Sequence, residues 1–418
     1  MTNEGIANPD NIRSGDVFEV TIEKIVYGGD GLARLGPAVI LVPFTAPGER
    51  VRVRIVSTAK RLLRGTVEEL VTRSEKRVSP ACPHFGICGG CQLQHLDNQT
   101  QIETRVGFIR ESLYRISGID WKGEIRVIAG PSTGYRARAE LKIDRDDDRQ
   151  PHLGYFESGT HQLCEIETCP ILHPALEREL HRQREHPEAI PPAATRLYLS
   201  TGDNGTFAVP ATGEDGQRAA TDALRTVHQR VLGIDYTFGA RSFFQGNLLL
   251  IEKLVTEAIS DVSGDRAIDL YAGVGLFSLQ LAGRFKKVCA VEGNPVAARH
   301  AAQNCKINNI SNVEFHSRSV ESWLKHQSIE WKRPDLVLLD PPRAGAGTQV
   351  CAKIAALSPE TIRYVSCDPT TLARDLGHLI DAGYSISQFA MVDMFPQTYH
   401  VESIVTLRPA HRRSALVT

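Results

Sequence analysis

Cys367 and Glu402 are the side chains whose types and spacing bear most directly on chemistry. Cys367 lies in S-C-D-P-T-T-L (Ser366 to Leu372), straight after the apolar run Ile362, Tyr364, Val365, which reads as a buried strand. A thiol at a strand's carboxyl end sits where open α/β sheets carry out their reactions. Glu402 comes thirty-five residues later, in F-P-Q-T-Y-H-V-E-S-I-V-T-L, just ahead of the last apolar strand. Most intracellular cysteines are small buried hydrophobes. A thiol and a carboxylate on neighbouring strand ends, however, make a nucleophile and a base.

Three more acids fall at strand ends. Ala267-Ile268-Asp269-Leu270-Tyr271 runs into A-G-V-G-L-F, a glycine-rich turn that lets a ligand approach the backbone. Lys287 to Val291 ends at Glu292, placed to accept both ribose hydroxyls of an adenosine. Asp335 to Leu339 ends in D-P-P-R at Asp340 to Arg343. The dinucleotide fingerprint is not completed, since Gly273 and Gly275 are followed by Ser278, which disfavours hydride transfer. The order Asp269, Glu292, Asp340 resembles that of S-adenosylmethionine-dependent methyltransferases.

A second chemical centre is A-C-P-H-F-G-I-C-G-G-C, which sets Cys82, Cys88 and Cys91 at C-x5-C-x2-C. The glycines and prolines allow turns tight enough for three thiolates to converge. Cys164 or Cys169 can supply a fourth. Four sulfurs suit zinc or an iron–sulfur cluster. The paired C-x2-C knuckles of zinc ribbons are absent, so a [4Fe–4S] cluster is favoured.

These residues must be positioned by about three domains on a length of 418 residues. Hydrophobic content of 42% and charged content of 23% are those of an ordinary soluble protein. No apolar stretch is long enough to span a bilayer, and M-T-N-E-G-I-A-N-P-D lacks a signal-peptide pattern, so a cytoplasmic location and no membrane partner are expected. The net charge of −1 gives no global nucleic-acid signal, but arginines and lysines cluster between Arg50 and Arg77 and at Tyr135 to Lys142. From Gly15 to Arg73 five short strands with glycine turns suggest a small barrel of oligonucleotide-binding type, with arginines on a face suited to phosphates. The stretch G-D-G-L-A-R followed by G-E-R-V-R-V resembles the TRAM domain. Gln99 to Ser117 reads as an amphipathic helix. Tyr135 to Ile143 and Leu197 to Val209 read as strands, the latter turning at Gly202 to Gly205. Arg178 to Thr195 reads as a surface connection. From Tyr236 onward strands and helices alternate, as in a parallel doubly wound sheet.

The thiol narrows the target. Carbon 5 of uracil is too weak a nucleophile to take a methyl group until a thiolate adds to carbon 6 and creates an enolate. A base must then remove the carbon-5 proton so that the thiolate can leave. Methylation of an amino group needs neither residue.

The order Phe243-Phe244-Gln245-Gly246-Asn247, D-L-Y-A-G-V-G, V-E-G-N-P, L-D-P-P-R-A-G, S-C-D-P-T-T-L-A-R-D-L and F-P-Q-T-Y-H-V-E resembles the RNA 5-methyluridine (uracil-C5) methyltransferase family over nearly the whole chain, in its cluster-containing ribosomal RNA branch. The resemblance implies Cys367 as nucleophile, Glu402 as base, and Gln245, Tyr271, Glu292 and Asp340 as holders of S-adenosyl-L-methionine. C-P-I-L at Cys169 matches the position of the family's fourth cluster ligand, giving Cys82, Cys88, Cys91 and Cys169 and leaving Cys164 structural. Leu276 departs from the pattern, since some relatives carry a polar cofactor contact there. The expected fold is a multidomain α/β chain: a TRAM, oligonucleotide-binding-like β-barrel (12–73), an α+β iron–sulfur central domain (74–235) and a doubly wound methyltransferase domain (236–418). The expected partner is structured RNA, 23S ribosomal RNA ahead of the transfer RNA T-loop, with the protein a monomer. A radical methylthiotransferase would need C-x3-C-x2-C rather than the first gap of five. A non-catalytic RNA-binding protein would have no use for the intact nucleophile, base and cofactor acids.

Overall fold

The computed structural model describes residues 12–212, 225–326 and 329–410, so the amino-terminal stretch read for a targeting signal lies outside the described residues. The chain gathers into two compact units. One takes the chain up to Phe108 with 152–170 and 395–400; the other takes 109–151, 171–394 and the chain from Val401.

The first unit begins with six strands where turn spacing suggested five: β1 (Val17–Thr21), β2 (Lys24–Ile25), β3 (Gly31–Leu35), β4 (Ala38–Val42), β5 (Arg50–Ala59) and β6 (Leu62–Thr72). Their order is β1-β5-β6-β4-β3-β2. The glycine turn delivers Leu32, Ala33 and Leu35 into β3, all buried. Strand period decides the inside: Val51, Val53 and Ile55 of β5 join Ile22, Ile40, Val42 and Leu63 in the core. The alternate arginines do not form a bare cationic face. Arg52 pairs with Glu69 at 2.9 Å and Arg64 with Asp30 at 3.1 Å, while Arg50 meets Glu19 and Arg54 meets Glu68. Fully buried Glu49 accepts from the Ala46 amide and pairs with Arg77.

Helix α1 (Asn98–Ser117) covers the expected span. It starts where Asp97 accepts from the Thr100 amide at 2.8 Å, an N-terminal cap. After β7 (Arg126–Ile128) and β8 (Arg138–Arg145), strands β9 (Pro151–Phe156) and β10 (Leu163–Glu165) pair antiparallel and carry Cys164. The surface connection expected at 178–195 is instead largely helical. Helix α2 (Pro174–Glu185) starts at the His173 cap and buries Leu176 and Leu180, a spacing of four that the surrounding charge conceals. Strands β11 (Arg196–Gly202) and β12 (Gly205–Ala211) form the expected hairpin, Gly202 opposite Gly205, and β11 also pairs with β8.

The second unit is built on an eight-stranded sheet. In chain order its region contains the hairpin β13 (Thr226–Val231) and β14 (Ile234–Gly239), α3 (Ile251–Ile259), β15 (Gly264–Leu270), α4 (Leu276–Leu281), β16 (Phe285–Glu292), α5 (Pro295–Ile307) and β17 (Val313–Ser317). There follow α6 (Val320–His326), β18 (Leu336–Leu339), α7 (Thr348–Leu357), β19 (Thr361–Ser366), α8 (Pro369–Asp381), β20 (Tyr384–Val392) and β21 (Glu402–Pro409). The sheet order is β17-β16-β15-β18-β19-β21-β20-β7. Strands β15 to β19 run parallel, and β18 is wholly apolar and buried, as a sheet covered on both faces requires. Strand order reverses between β15 and β18, and ligands bind in the crevice outside the carboxyl ends at such a switch. Strand β21 runs antiparallel between β19 and β20. Among the described residues no helix is long and apolar enough to cross a membrane.

Candidate active site

The register of β19 and β21 brings Cys367 and Glu402 to one edge of the sheet. Ser366 lies opposite Ser403, so the carboxyl end of one strand meets the amino end of the other. Cys367 then occupies the single residue between β19 and the Asp368 cap of α8. Asp368 accepts from the Thr370 and Thr371 amides at 2.9 Å each, which fixes the turn. Asp340 ends β18, the strand beside β19, with its amide on the Leu270 carbonyl at 3.3 Å.

Burial and like charge dominate the electrostatics here. Glu402 is 3% exposed and its Oε1 has no hydrogen-bond partner among the described residues. Burial, and then the neighbouring Asp340, push the Glu402 carboxyl well above the carboxylate range. Burial raises Asp340 as well. The Cys367 thiol is pushed up to about 12 by burial, with Glu402 and Asp340 adding to the rise and Arg343 opposing it. Charge on Asp340 disfavours ionisation of Glu402, because burial leaves little solvent to offset a second negative charge. Cys367 rests as a thiol.

The cofactor acids gather at the adjoining strand ends. Glu292 accepts from the Gly273 amide at 2.8 Å and the Asn294 amide at 2.6 Å, so each carboxylate oxygen keeps a further lone pair. Gly273 has φ +57° and open space where a Cβ would stand, whereas a Cβ on Gly275 (φ +91°) would lie 2.5 Å from Leu279 Cδ1. The turn is thus a bare-backbone cradle, and its donor set fits an adenosine. Tyr271, which leads into it, adopts a left-handed φ of 63°, uncommon for a bulky side chain. Buried Asn304 donates to the Val274 carbonyl at 3.1 Å and accepts from the Thr237 amide at 2.8 Å, and Tyr236 donates to the Leu276 carbonyl at 2.9 Å. Asp269 is fully buried, accepts from the Ser278 hydroxyl, and lies beneath the turn. Gln245 is buried too. Its loop is held by Arg138, whose guanidinium donates to the Ala240 and Ser242 carbonyls and lies 5.3 Å from the Phe238 ring centroid.

Sequence reasoning gave Arg343, Asn304 and Tyr236 no role, and read Arg138 only as part of a basic run. Arg343 had a local signal in its place in D-P-P-R. The others act through partners far along the chain.

The cysteines lie together in the first unit. Cys88, pushed up to about 11 chiefly by burial, also feels Cys164, Cys169 and Cys82, and its sulfur accepts from the Gly90 amide at 3.4 Å. Burial raises the Cys164 thiol as well, and its sulfur lies 3.9 Å from the Glu165 carbonyl. Among the described residues, no three His, Cys, Asp or Glu side chains converge closely enough to hold a metal ion as they stand. The donor chemistry, soft thiols on a glycine-rich loop, fits a sulfur-ligated centre.

Comparison with known proteins agrees with this geometry. Residues 221–410 match the family described as tRNA (Uracil-5-)-methyltransferase, and residues 13–67 match the TRAM domain. The 23S rRNA (uracil(1939)-C(5))-methyltransferase RlmD of Vibrio parahaemolyticus is 32% identical over 92% of this chain and 94% of its own length. The enzyme of the same name from Yersinia enterocolitica is 34% identical, covering 94% and 95%. The crystal structure of Pyrococcus abyssi tRNA (uracil-54, C5)-methyltransferase in complex with S-adenosyl-L-homocysteine superposes with a TM-score of 0.72 at 29% identity, covering 93% of this chain and all of that one. A methyltransferase sheet preceded by a TRAM barrel, with full-length relatives of one chemistry, places this chain in the RNA uracil-C5 methyltransferase family.

Proposed function

We propose that the protein methylates carbon 5 of a uridine in 23S ribosomal RNA, using Cys367 as nucleophile and Glu402 as base. The observation that carries this is their meeting at one sheet edge, with a buried carboxyl oxygen left unpartnered. S-adenosylmethionine, when bound, supplies an electrophilic methyl group; Gln245, Tyr271, Glu292 and Asp340 would hold it. The uridine must leave its stack to reach the thiol. Cys367 loses its proton to water and its sulfur bonds to carbon 6, while the ring electrons move onto the carbon-4 oxygen as an enolate. Carbon 5 then accepts the methyl group, and the broken sulfur–methyl bond leaves S-adenosylhomocysteine to depart. Glu402, in its ionised form, takes the carbon-5 proton, the carbon 5–carbon 6 double bond re-forms, and the thiolate leaves.

Ribosomal RNA is favoured because the full-length bacterial relatives are named for it. The archaeal structure and the family description favour transfer RNA as a second reading. Incubation with labelled cofactor and both RNAs separates them. Label is expected in a uridine of 23S RNA, and label confined to transfer RNA would move the assignment.

Cys82, Cys88, Cys91 and Cys169 are proposed as ligands of a [4Fe–4S] cluster, in a protein acting as a cytoplasmic monomer. Anaerobically purified protein should be brown. Cys169→Ala should remove the colour and iron, and Cys164→Ala should retain them. Colourless wild-type protein containing zinc would refute the cluster.

A further inference from the structure

The loop that follows β18, residues 341–347 (P-P-R-A-G-A-G), is fastened residue by residue to helix α8. Thr371 Oγ1 donates to the Arg343 carbonyl at 3.0 Å, and Arg374 Nη2 donates to the Ala344 carbonyl at 2.9 Å. The amides of Ala346 and Gly347 donate to Asp375 Oδ2 at 2.7 and 3.2 Å. The Tyr364 hydroxyl donates to the same oxygen at 2.6 Å, and Arg374 Nε holds Oδ1 at 2.8 Å. Asp375 itself is fully buried. Even Gly345 is shaped by it: at φ +73°, a Cβ there would lie 2.6 Å from Asp375 Oδ2 and 2.7 Å from Arg374 Nη2.

Helix α8 begins two residues after Cys367, and the loop carries Arg343, the cation that acts against the acids around the thiol. Clamping one to the other fixes the backbone of Arg343 relative to the turn that carries Cys367. We propose that Asp375 is a positioning residue of the active site, whose buried carboxylate locks the 341–347 loop onto α8 and so holds Arg343 beside Cys367. The proposal rests on the reading of Cys367 as nucleophile. A carboxylate is suited to the task because it accepts without donating, and every group facing it is a donor. Asparagine would turn one amide N–H₂ toward those donors.

The test uses the full chain with Asp375→Asn and Thr371→Val. It reads turnover, KM for the cofactor, and the pH dependence of Cys367 alkylation by iodoacetamide without RNA. For Asp375→Asn, kcat should fall about 100-fold, the scale of a misplaced active-site group. KM for the cofactor should stay within about twofold, and the alkylation curve should move to higher pH as the cation loses its place. Thr371→Val should move both in the same direction by less. A folded Asp375→Asn protein with the wild-type alkylation curve overturns the proposal, whether or not turnover falls, since a purely structural role would leave the thiol unchanged. If Asp375→Asn does not fold, Thr371→Val decides on the same criterion. Undiminished turnover in Cys367→Ser would sink the nucleophile reading instead, and the alkylation curves would still report whether Arg343 is held.

Discussion

Serine in place of Cys367 is expected to lower methyl transfer by on the order of 10⁴-fold or more, the scale on which enzymes lose rate when a covalent nucleophile is removed. The fold should survive, because oxygen for sulfur in the half-buried turn before α8 alters little packing. The reason for the loss is electronic. A serine hydroxyl has a far higher pKa than a thiol, and its site already disfavours anions through burial and two carboxyls. Without addition at carbon 6 the ring carbon cannot attack. The companion measurement uses RNA carrying 5-fluorouridine. Wild-type protein should become covalently attached through Cys367, because fluorine cannot leave as a proton does, and Cys367→Ser should form no adduct. A wild-type rate in Cys367→Ser would end the covalent reading.

Glu402→Gln should separate the two halves of the reaction. Glutamine is nearly isosteric and neutral, so the buried site keeps its shape while losing the group that takes the carbon-5 proton. Sulfur addition and methyl transfer should proceed. Release should slow by on the order of 10²- to 10⁴-fold, the usual range for a lost general base. Protein cross-linked to methylated RNA should then accumulate on denaturing gels with ordinary uridine substrate. The substitution also removes an acid that holds the Cys367 thiol up, so adduct formation in Glu402→Gln should reach its half-maximal rate at lower pH than in wild type. Unchanged turnover with no trapped species would strip Glu402 of the base role.

Much of this was legible because strand ends announce themselves. Apolar runs stopping at Asp269, Glu292, Asp340 and Cys367 mark carboxyl ends of parallel strands, and a parallel sheet brings such ends to one side without further information. The glycine-rich turn and the TRAM motif were equally local. What stayed hidden depends on register or on distant partners. The arginines of β5 looked like a phosphate-binding face, yet the pairing sets Glu19 and Glu69 opposite Arg52 and brings Glu19 and Glu68 within reach of Arg50 and Arg54. Helix α2 buries two leucines on one face in a run of charge, too few for periodicity to reveal. Asp375 and Tyr364 read as ordinary helix and strand residues until the loop from another strand closes over them.

Strand β21 enters the sheet between β19 and β20, both of which leave the ribosome before it. A nascent chain can therefore assemble its parallel half, adenosine cradle included, while the slot for the final strand is still vacant. With Cys367 and Glu402 in the roles proposed above, reactivity waits until β21 takes its place.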